Sequence, residues 1–257
     1  MIMTILAVGD VCGEPGLSFL DKNLNSYRRE NGIDFVVVNG ENANVVGITP
    51  KQADAILRAG ADVITLGNHT WTRTELRPYL DERRRILRPA NFAPQCPGKG
   101  INVYHTDKGD VCVLNLMGRF TLDTNTDNPF VIADGYMEEI QEKVILVDFH
   151  AEGTSEKQAM GWLLDGRASA VWGTHTHVQT SDARVLPGGT GYITDLGMTG
   201  ARDSVLGIDP QQSIGKFMGA PPQRYNAASG PAKLEGCLFT IDTKTGRCQK
   251  AEGVRIE

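Results

Sequence analysis

The feature that most constrains the fold is a pattern at the start of the chain, in which short apolar strands alternate with helical segments. Residues 4–8, 34–38 and 62–66 are rich in β-branched and apolar side chains, as is typical of buried strands. Helical apolar spacing runs from Leu17 to Tyr27, and a second helix begins near Pro50. This alternation predicts parallel βαβ units, whose functional loops gather at the carboxyl ends of the strands.

Further secondary structure is predicted along the rest of the chain. Apolar runs predict strands at residues 101–104, 111–116, 144–150 and 170–172. Helices are predicted at residues 130–141 and 155–164, and a closing antiparallel hairpin at residues 236–242 and 252–256. Proline, glycine, asparagine and other polar residues predict loops at residues 89–100 and 123–129.

A loop-rich segment extends from about residue 196 to residue 231, where Gly, Pro and Ser are frequent and periodicity is weak. A structureless connection of this length is uncommon in a compact domain. We therefore expect an ordered excursion that borders the functional site or a subunit contact, which leaves a homo-oligomer open. The chain has neither an internal repeat nor a strong linker, so a single domain over residues 1–257 is predicted.

The charge pattern disfavours stable binding to nucleic acid. The formal net charge is -5, and the sequence lacks a sustained basic stripe. The basic run at residues 83–85 follows Asp81 and Glu82 and is interpreted as a solvated helix end. The negative net charge does not exclude small anionic substrates, because bound cations can supply positive charge locally.

Cysteine content and hydropathy give two further expectations. The five cysteines are odd in number and form no CxxC pair, which argues against a disulfide framework and a structural zinc knuckle. No apolar run in the sequence is long enough to span a bilayer, and the apolar start lacks a basic leader. A cytoplasmic protein without membrane association is expected.

Seven polar side chains follow apolar strands directly, namely Asp10, Glu41, Asn42, Asn68, His150, His175 and His177. Carboxylate, amide oxygen and imidazole are ligands that suit Mn, Fe or Zn, and a site without thiolates argues against a structural zinc cage. Two ions about 3.5–4 Å apart can share a bridging carboxylate and clamp a phosphoryl oxygen. Glu41 is the candidate bridge.

Each of these residues also has a structural interpretation when it is taken alone. Asp10 could cap a turn, Asn68 could occupy a left-handed turn position, and His150 could be a satisfied core histidine. The joint pattern favours a metal site, since four of the five histidines fall at strand ends or directly after an Asn at such an end. His105 alone lies outside this pattern and is predicted at the surface or on a strand edge.

Six short motifs carry a resemblance to a known family. They are Gly9-Asp10-Val11-Cys12-Gly13, Asn39-Gly40-Glu41-Asn42-Ala43, Gly67-Asn68-His69-Thr70-Trp71, Asp148-Phe149-His150-Ala151-Glu152, Gly173-Thr174-His175-Thr176-His177 and Thr194-Asp195-Leu196-Gly197-Met198-Thr199-Gly200. In order and spacing this set resembles the calcineurin-like metallophosphoesterase superfamily, and within it the YmdB-like bacterial phosphodiesterase branch. The resemblance covers nearly the whole chain.

The resemblance implies a four-layer α/β/β/α sandwich with two divalent or trivalent metal ions per chain, Fe or Mn, with Zn also open. It implies that one ion is held by Asp10, Glu41, Asn42 and His177. It implies that the other is held by Glu41, Asn68, His150 and His175. His69 would donate a proton to the leaving oxygen or stabilise the phosphoryl charge.

Two departures from the wider superfamily bear on the first ion. The usual Asp-x-His opening is Asp10-Val11-Cys12 here, and the usual Gly-Asp-x-x-Asp is replaced by residues 39–42. Asn42 would replace the lost imidazole ligand. Cys12 is either a thiolate ligand or a buried neutral thiol.

The expected function is metal-dependent hydrolysis of phosphate esters by attack of a hydroxide that the metal centre activates. The resemblance implies cyclic nucleotides as substrates, both 2′,3′-cyclic and 3′,5′-cyclic monophosphates. The alternative is a metal-containing regulatory protein that acts mainly by binding a nucleotide or a protein partner. The missing superfamily histidine and the loop-rich segment motivate this alternative.

Overall fold

The computed structural model describes residues 1–122 and 125–257 of the 257-residue chain. The described residues form two β-sheets, with strands numbered here in chain order. The larger sheet contains β1 (Ile2–Val8), β2 (Asp10–Val11), β3 (Phe35–Asn39), β4 (Val63–Thr65), β5 (Ile86–Leu87), β12 (Met198–Ala201), β13 (Ala232–Asp242) and β14 (Cys248–Ile256). The smaller sheet contains β6 (Ile101–Thr106), β7 (Gly109–Met117), β8 (Val144–His150), β9 (Ala170–Thr174), β10 (Arg184–Val185) and β11 (Gly191–Ile193).

Six helices lie within the described ranges, and several begin at capping residues that the sequence supplies. They are α1 (Gly13–Glu30), α2 (Pro50–Arg58), α3 (Leu76–Glu82), α4 (Pro129–Glu139), α5 (Thr154–Leu164) and α6 (Pro210–Phe217). At α2, the hydroxyl of Thr49 accepts from the N–H of Gln52, whose side chain accepts from the N–H of Thr49. At α4 and α6, Asn128 and Asp209 precede a proline and accept from first-turn N–H groups. Measured by length and apolarity, none of these helices could cross a membrane.

Three hydrophobic clusters separate four layers. Along β1, Met3 and Ile5 point to the cluster between the two sheets, whereas Leu6 and Val8 point to the cluster beneath α1, α2 and α3. Along β8, Val144 and Leu146 face the other sheet, whereas Ile145, Val147 and Phe149 face α4 and α5. Because these strands are buried on both faces, they appear in the sequence as continuous apolar runs. The predicted α/β/β/α sandwich is confirmed.

Parallel pairing brings the polar strand ends together. In the larger sheet β1, β3, β4 and β5 are successive parallel neighbours, and in the smaller sheet β7, β8, β9 and β11 are parallel neighbours. The register pairs Asn39 with Thr65 and His150 with Thr174, so strands within each sheet end at the same level. The sandwich therefore has one edge where polar side chains from both sheets meet.

Most predicted elements are found within a few residues of their expected positions. The closing hairpin, the helix near 130–141 and the strand at 144–150 are confirmed, and His105 lies exposed on β6. Each of the five cysteines, all inside the described ranges, is a free thiol. The loop-rich segment also contains β12 and α6, which its weak periodicity did not predict. Within the predicted loop at 123–129, Asp123 and Thr124 lie outside the described residues.

Candidate metal centre

The sequence-predicted site residues come together at the shared edge of the two sheets. Asp10 begins β2, Glu41 and Asn42 follow β3, Asn68 and His69 follow β4, His150 ends β8, and His175 and His177 follow β9. Each of the eight side chains or its backbone lies within about 4 Å of another member of the group. The structure thus assembles all eight into one contiguous cluster.

In one half of the cluster, side chains converge on Nε2 of His150. This atom lies 2.9 Å from Oε1 of Glu41, 3.0 Å from Oδ1 of Asn68 and 3.1 Å from Nδ1 of His175. Ligand atoms of Glu41, His150 and His175 all lie within 4.8 Å of one another. Carboxylate, amide and imidazole lone pairs directed at one point are an arrangement that a cation stabilises.

The other ring nitrogen of His150 is fixed by a hydrogen-bond chain. Thr174 donates its single hydroxyl proton to Asp148 at 2.8 Å, and Nδ1 of His150 lies 2.9 Å from the same hydroxyl oxygen. In the neutral ring the proton therefore resides on Nδ1, which donates to Thr174, and Nε2 keeps its lone pair. A ligating histidine is commonly oriented in this way through its outer nitrogen.

The second half contains Asp10, Asn42 and His177. Nε2 of His177 lies 3.7 Å from Oδ1 of Asp10 and 3.1 Å from the amide nitrogen of Asn42. Nδ1 of His177 donates to the carbonyl of Leu206 at 2.9 Å, so in the neutral ring the lone pair on Nε2 faces the other two residues. Asp10 and His177 thus present donor atoms of the types that metal ions bind, whereas Asn42 directs its amide nitrogen at His177 and would bind an ion through its oxygen after the amide rotates.

Asp10 supplies a direct test of whether a cation fits. Its side chain is fully buried, and among the described residues its Oδ1 has no hydrogen-bond partner. Burial raises the pKa of Asp10 to about 6. Burial lowers the pKa of His150, but Glu41 and Asp10 raise it by more, so these carboxylates stabilise positive charge at this point. An unpartnered buried carboxylate oxygen beside two histidines fits a cation-binding site.

Two further pKa shifts suit ligands. Burial raises the pKa of Glu41, but the charge and hydrogen bond of His150 outweigh it and lower that pKa to about 2. Burial and the neighbouring His150 charge lower the pKa of His175 to about 3. Near neutral pH, Glu41 is therefore ionised and His175 is neutral, as metal ligation requires.

Cys12 contacts the outer nitrogen of His177 rather than the nitrogen that faces Asp10. Its Sγ lies 3.4 Å from Nδ1 of His177 and 3.6 Å from the carbonyl of Leu206. The thiol is buried, with 4% exposure. This position favours the buried thiol over the thiolate ligand.

Gly67 leaves room for the cluster. A Cβ atom at this position would lie 2.2 Å from Cδ2 of His150 and 2.4 Å from Oε2 of Glu41. Any side chain here would displace one of the two. The glycine before Asn68 is therefore a steric requirement of the site.

The turn that carries His175 and His177 has an unusual backbone, with φ of 103° and 62° at these residues. Asp10 accepts from the N–H of His175 at 3.1 Å. Asp195 accepts from the N–H and hydroxyl of Thr176 at 3.2 and 2.7 Å, and Lys157 lies 2.6 Å from the same oxygen of Asp195. These contacts hold a turn in the left-handed region, which residues other than glycine seldom adopt.

Sequence reasoning gave no role to Thr176, Asp195 or Lys157. The role of Asp195 could have been predicted, because Asp195 follows the short apolar strand β11 as Asp10 follows β1. Lys157 offered no such signal, since a lysine in a helix is usually solvated. Glu152 was also missed, although its Oε2 lies 3.1 Å from Nε2 of His175 and it lines the cavity beside the centre.

A cavity of about 370 Å³ opens beside the cluster. Its polar lining includes Asn42, His69, Glu152, His175 and His177. Apolar side chains complete the wall, namely Val45, Val46, Leu206, Ile208 and Tyr225. The loop-rich segment therefore borders the site, which is one of the two positions that the sequence analysis expected for it.

The chain is similar in sequence to known proteins over nearly its full length. The chain is 44% identical to the 2′,3′-cyclic-nucleotide 2′-phosphodiesterase of Bacillus subtilis, over 99% of this chain and 97% of that protein. It is 35% identical to a putative phosphatase/phosphodiesterase of Mycoplasma pneumoniae, over 97% and 91% of the two chains.

Solved structures resemble the chain over nearly its full length. A Mycoplasma pneumoniae structure described as a novel phosphatase matches with a TM-score of 0.94 at 33% identity, covering 100% of this chain and 94% of the other. A hypothetical protein from Thermus thermophilus matches with a TM-score of 0.92 at 38% identity, covering 99% of both chains. The family model described as YmdB-like protein matches residues 6–254. The chain therefore belongs to the YmdB-like protein family.

Proposed function

We propose that this protein is a metal-dependent phosphoric ester hydrolase that acts on phosphodiesters, with nucleoside 2′,3′-cyclic phosphates as preferred substrates and 3′,5′-cyclic phosphates as secondary ones. The observation that carries the proposal is the group of Glu41, His150 and His175 beside the buried, unpartnered carboxylate oxygen of Asp10 within the described residues. The names of the Bacillus subtilis and Mycoplasma pneumoniae relatives support the reaction class.

We assign two ions to the centre, Fe or Mn, with Zn as a third candidate. Asp10, Glu41, Asn42 and His177 would hold one ion, and Glu41, Asn68, His150 and His175 would hold the other. Oxygen and nitrogen donors without a thiolate suit these metals. Ions bound there would supply Lewis-acid charge at the phosphoryl group and lower the pKa of the attacking water.

The chain's own residues would orient the ligands and handle a proton. Glu41 accepts from the N–H of His69 at 3.1 Å, so the candidate bridging carboxylate also fixes the backbone of the proposed acid. The His69 side chain lines the cavity, where it can reach a phosphate ester beside the cluster. We assign it the delivery of a proton to the leaving oxygen.

Both sheets contribute to the proposed centre. Glu41 and Asn68 follow strands of the larger sheet, whereas His150 and His175 follow strands of the smaller one. Either sheet alone would lack two of these four ligands. We therefore propose that residues 1–257 act as a single catalytic domain.

The test combines metal analysis with a substrate panel. Protein purified without added metal would be analysed for Fe, Mn and Zn, then assayed on adenosine 2′,3′-cyclic and 3′,5′-cyclic phosphate and bis-p-nitrophenyl phosphate. We expect a chelator to abolish turnover and the addition of Fe, Mn or Zn to restore it. The 2′,3′-cyclic substrate should yield the 3′-monophosphate. Turnover that survives complete metal removal, or none on any substrate with any metal, would contradict the proposal.

His69→Ala separates catalysis from binding. If His69 acts as the acid, this variant should keep its metal content and lose roughly 100-fold or more in kcat. A cellular effect that survived this loss of hydrolysis would favour the regulatory alternative. Equal loss of both would favour the hydrolase.

A further inference from the structure

Left-handed backbone at residues other than glycine concentrates around the cavity beside the candidate metal centre. The described part of the chain contains five such residues, with φ of 64° at Val45, 62° at Thr121, 103° at His175, 62° at His177 and 55° at Leu206. All except Thr121 line this cavity. Such conformations are unfavourable for β-branched residues in particular and cluster at functional sites.

The metal centre accounts for the two histidines but not for the side chains of the two aliphatic residues. Val45 and Leu206 carry no atom that binds a metal, and their side chains are partly exposed, Leu206 by 46%. With Val46, Ile208 and Tyr225 they form a group that we term the apolar wall. Partly exposed apolar side chains grouped beside polar catalytic groups are typical of a ligand-binding surface.

Hydrogen bonds hold both parts of the apolar wall in place. The N–H of Val45 donates to the carbonyl of Asn42 at 2.9 Å, and the carbonyl of Val46 accepts from Arg73 at 3.2 Å. On the other part, Val205 and Ile208 exchange two backbone bonds of 3.0 Å around Leu206. The apolar wall is therefore preformed rather than dependent on a ligand for its shape.

One backbone group links the apolar wall to the metal centre. The carbonyl of Leu206 accepts from Nδ1 of His177 at 2.9 Å, while the Leu206 side chain lines the cavity. The same left-handed residue thus orients a candidate ligand and presents an aliphatic surface to the substrate. A phosphate at the cluster would place the rest of its ester beside the apolar wall.

We propose that the apolar wall binds the base of a nucleoside phosphate whose phosphate group lies at the metal centre. This inference rests on the proposed function and adds the surface that recognises the nucleoside. A base has a flat face that packs on aliphatic and aromatic side chains, and Tyr225 supplies an aromatic ring. The cavity of about 370 Å³ falls in the usual range for small-ligand sites, about 300–1,000 Å³.

The chemistry of the apolar wall also predicts its selectivity. Of its five side chains, only Tyr225 carries a hydrogen-bonding group that could contact the edge of a base, and the apolar contact of the other four discriminates weakly. We expect adenine, guanine, cytosine and uracil all to be accepted, with purines preferred because they bury more area. A site that read base edges would instead discriminate strongly.

The test compares two cyclic phosphodiesters that differ in the nucleoside. Adenosine 2′,3′-cyclic phosphate and glycerol 1,2-cyclic phosphate share the five-membered ring, but only the first carries a base. Leu206→Asn removes the aliphatic surface and keeps a residue that tolerates the left-handed region, and Tyr225→Ala removes the ring. We expect each variant to raise KM for the adenosine compound roughly tenfold, with less than about a twofold change for the glycerol compound.

Matched controls lie on α6. Ile214 is 46% exposed, as Leu206 is, and Phe217 is an exposed aromatic, and neither belongs to the cavity lining in the described part of the chain. Ile214→Asn and Phe217→Ala should leave both substrates unchanged. Equal losses on both substrates in Leu206→Asn and Tyr225→Ala, or no loss on either, would overturn the proposal.

Binding separates failure of this inference from failure of the proposed function. If the wild-type protein hydrolysed neither these compounds nor any other substrate of the panel above, the proposed function would be contradicted, and the apolar wall would be tested by calorimetry with adenosine 3′-monophosphate and glycerol phosphate. Tighter binding of the adenosine compound, lost in Leu206→Asn, would support base recognition. Equal affinity of the wild-type protein for both compounds would exclude it.

Discussion

The ammonium group of Lys157 lies 2.6 Å from Oδ2 of Asp195, and the two side chains are only 2% and 1% exposed. The same oxygen accepts from the N–H and hydroxyl of Thr176, the residue between His175 and His177. Lys157 comes from α5, whereas Asp195 follows β11. A buried ion pair between two distant segments therefore anchors the turn that carries two candidate ligands.

Removing one partner of this pair should be costly, because it leaves the other buried without its counter-charge. We expect Lys157→Met and Asp195→Asn each to reduce the free energy of unfolding by about 3–5 kcal/mol. The double variant should fall short of the sum by about 1–3 kcal/mol, as neighbouring residues that share an interaction do. Urea denaturation of the metal-free proteins measures all three values, and strict additivity would show that the pair does not act as a unit.

Thr176 tests whether the anchor matters for metal binding. Thr176→Val keeps the shape of the side chain and removes the hydroxyl that donates to Asp195 at 2.7 Å. Because groups that orient ligands commonly influence affinity about 10–100-fold, we expect a metal affinity about tenfold weaker. Thr176→Ser, which keeps the hydroxyl, should restore it. Competition with a chromophoric chelator measures both, and wild-type affinity in the valine variant would refute the anchoring role.

The sequence predicted the polar residues at the strand ends but not the residues that hold them in position. Asp10 and His150 could be placed because each terminates a continuous apolar run, and parallel strands bring such ends to one edge. Lys157 could not, since its burial depends on a partner 38 residues away. Very short elements such as β5 and β10 were also missed, because two residues are too few to show a period.

The loop-rich segment also contains a helix that the sequence pattern did not predict. Helix α6 was not predicted, although Asp209 and Pro210 form a clear N-terminal signal. Its eight residues include one buried side chain, Ser213, so an apolar stripe is lacking. A helix that packs little of its surface leaves a weak pattern in the sequence.

Gly67 provides a steric test of the site. Gly67→Ala places a methyl group 2.2 Å from a carbon of His150, so the ring must move. We expect the variant to fold but to lose at least about 100-fold in kcat/KM, since misplacement by about 1 Å can cost that much. The measurement is steady-state kinetics at saturating metal.

The matched control is Gly135→Ala on α4, where an added Cβ has no neighbour within 4 Å among the described residues. It should leave activity unchanged and stabilise the protein by about 0.5–1 kcal/mol through helix propensity. Equal activity of the Gly67 and Gly135 variants would contradict the steric role of Gly67.

Asp182 gives a stability prediction that depends on pH. Partial burial raises its pKa, but hydrogen bonds from the hydroxyls of Thr194 and Thr180 and the N–H of Thr194 outweigh burial, so the net shift is downward. The carboxylate's contribution is therefore fully present above the unfolded pKa of about 3.9 and is lost as pH falls through the lower folded value.

We expect Asp182→Asn to be less stable than the wild type by about 1 kcal/mol near pH 7. The difference should shrink as the pH falls below about 4, because the carboxyl then takes up a proton in the unfolded chain before it does so in the folded protein. Denaturation curves at several pH values measure it. A difference that widens towards acid would show that the carboxylate is not stabilised by these bonds.

His175 and His177 test the division of the centre into two ion sites. Nδ1 of His175 faces His150, whereas Nε2 of His177 faces Asp10 and Asn42, so each histidine belongs to a different half of the cluster. On the proposed assignment, His175→Ala and His177→Ala should each remove one ion preferentially while Glu41 retains the other. Elemental analysis after dialysis gives the stoichiometry, and loss of spin coupling between two Mn ions gives an independent readout. If both variants kept two ions, or if each lost both while remaining folded, the two histidines would not serve separate ions.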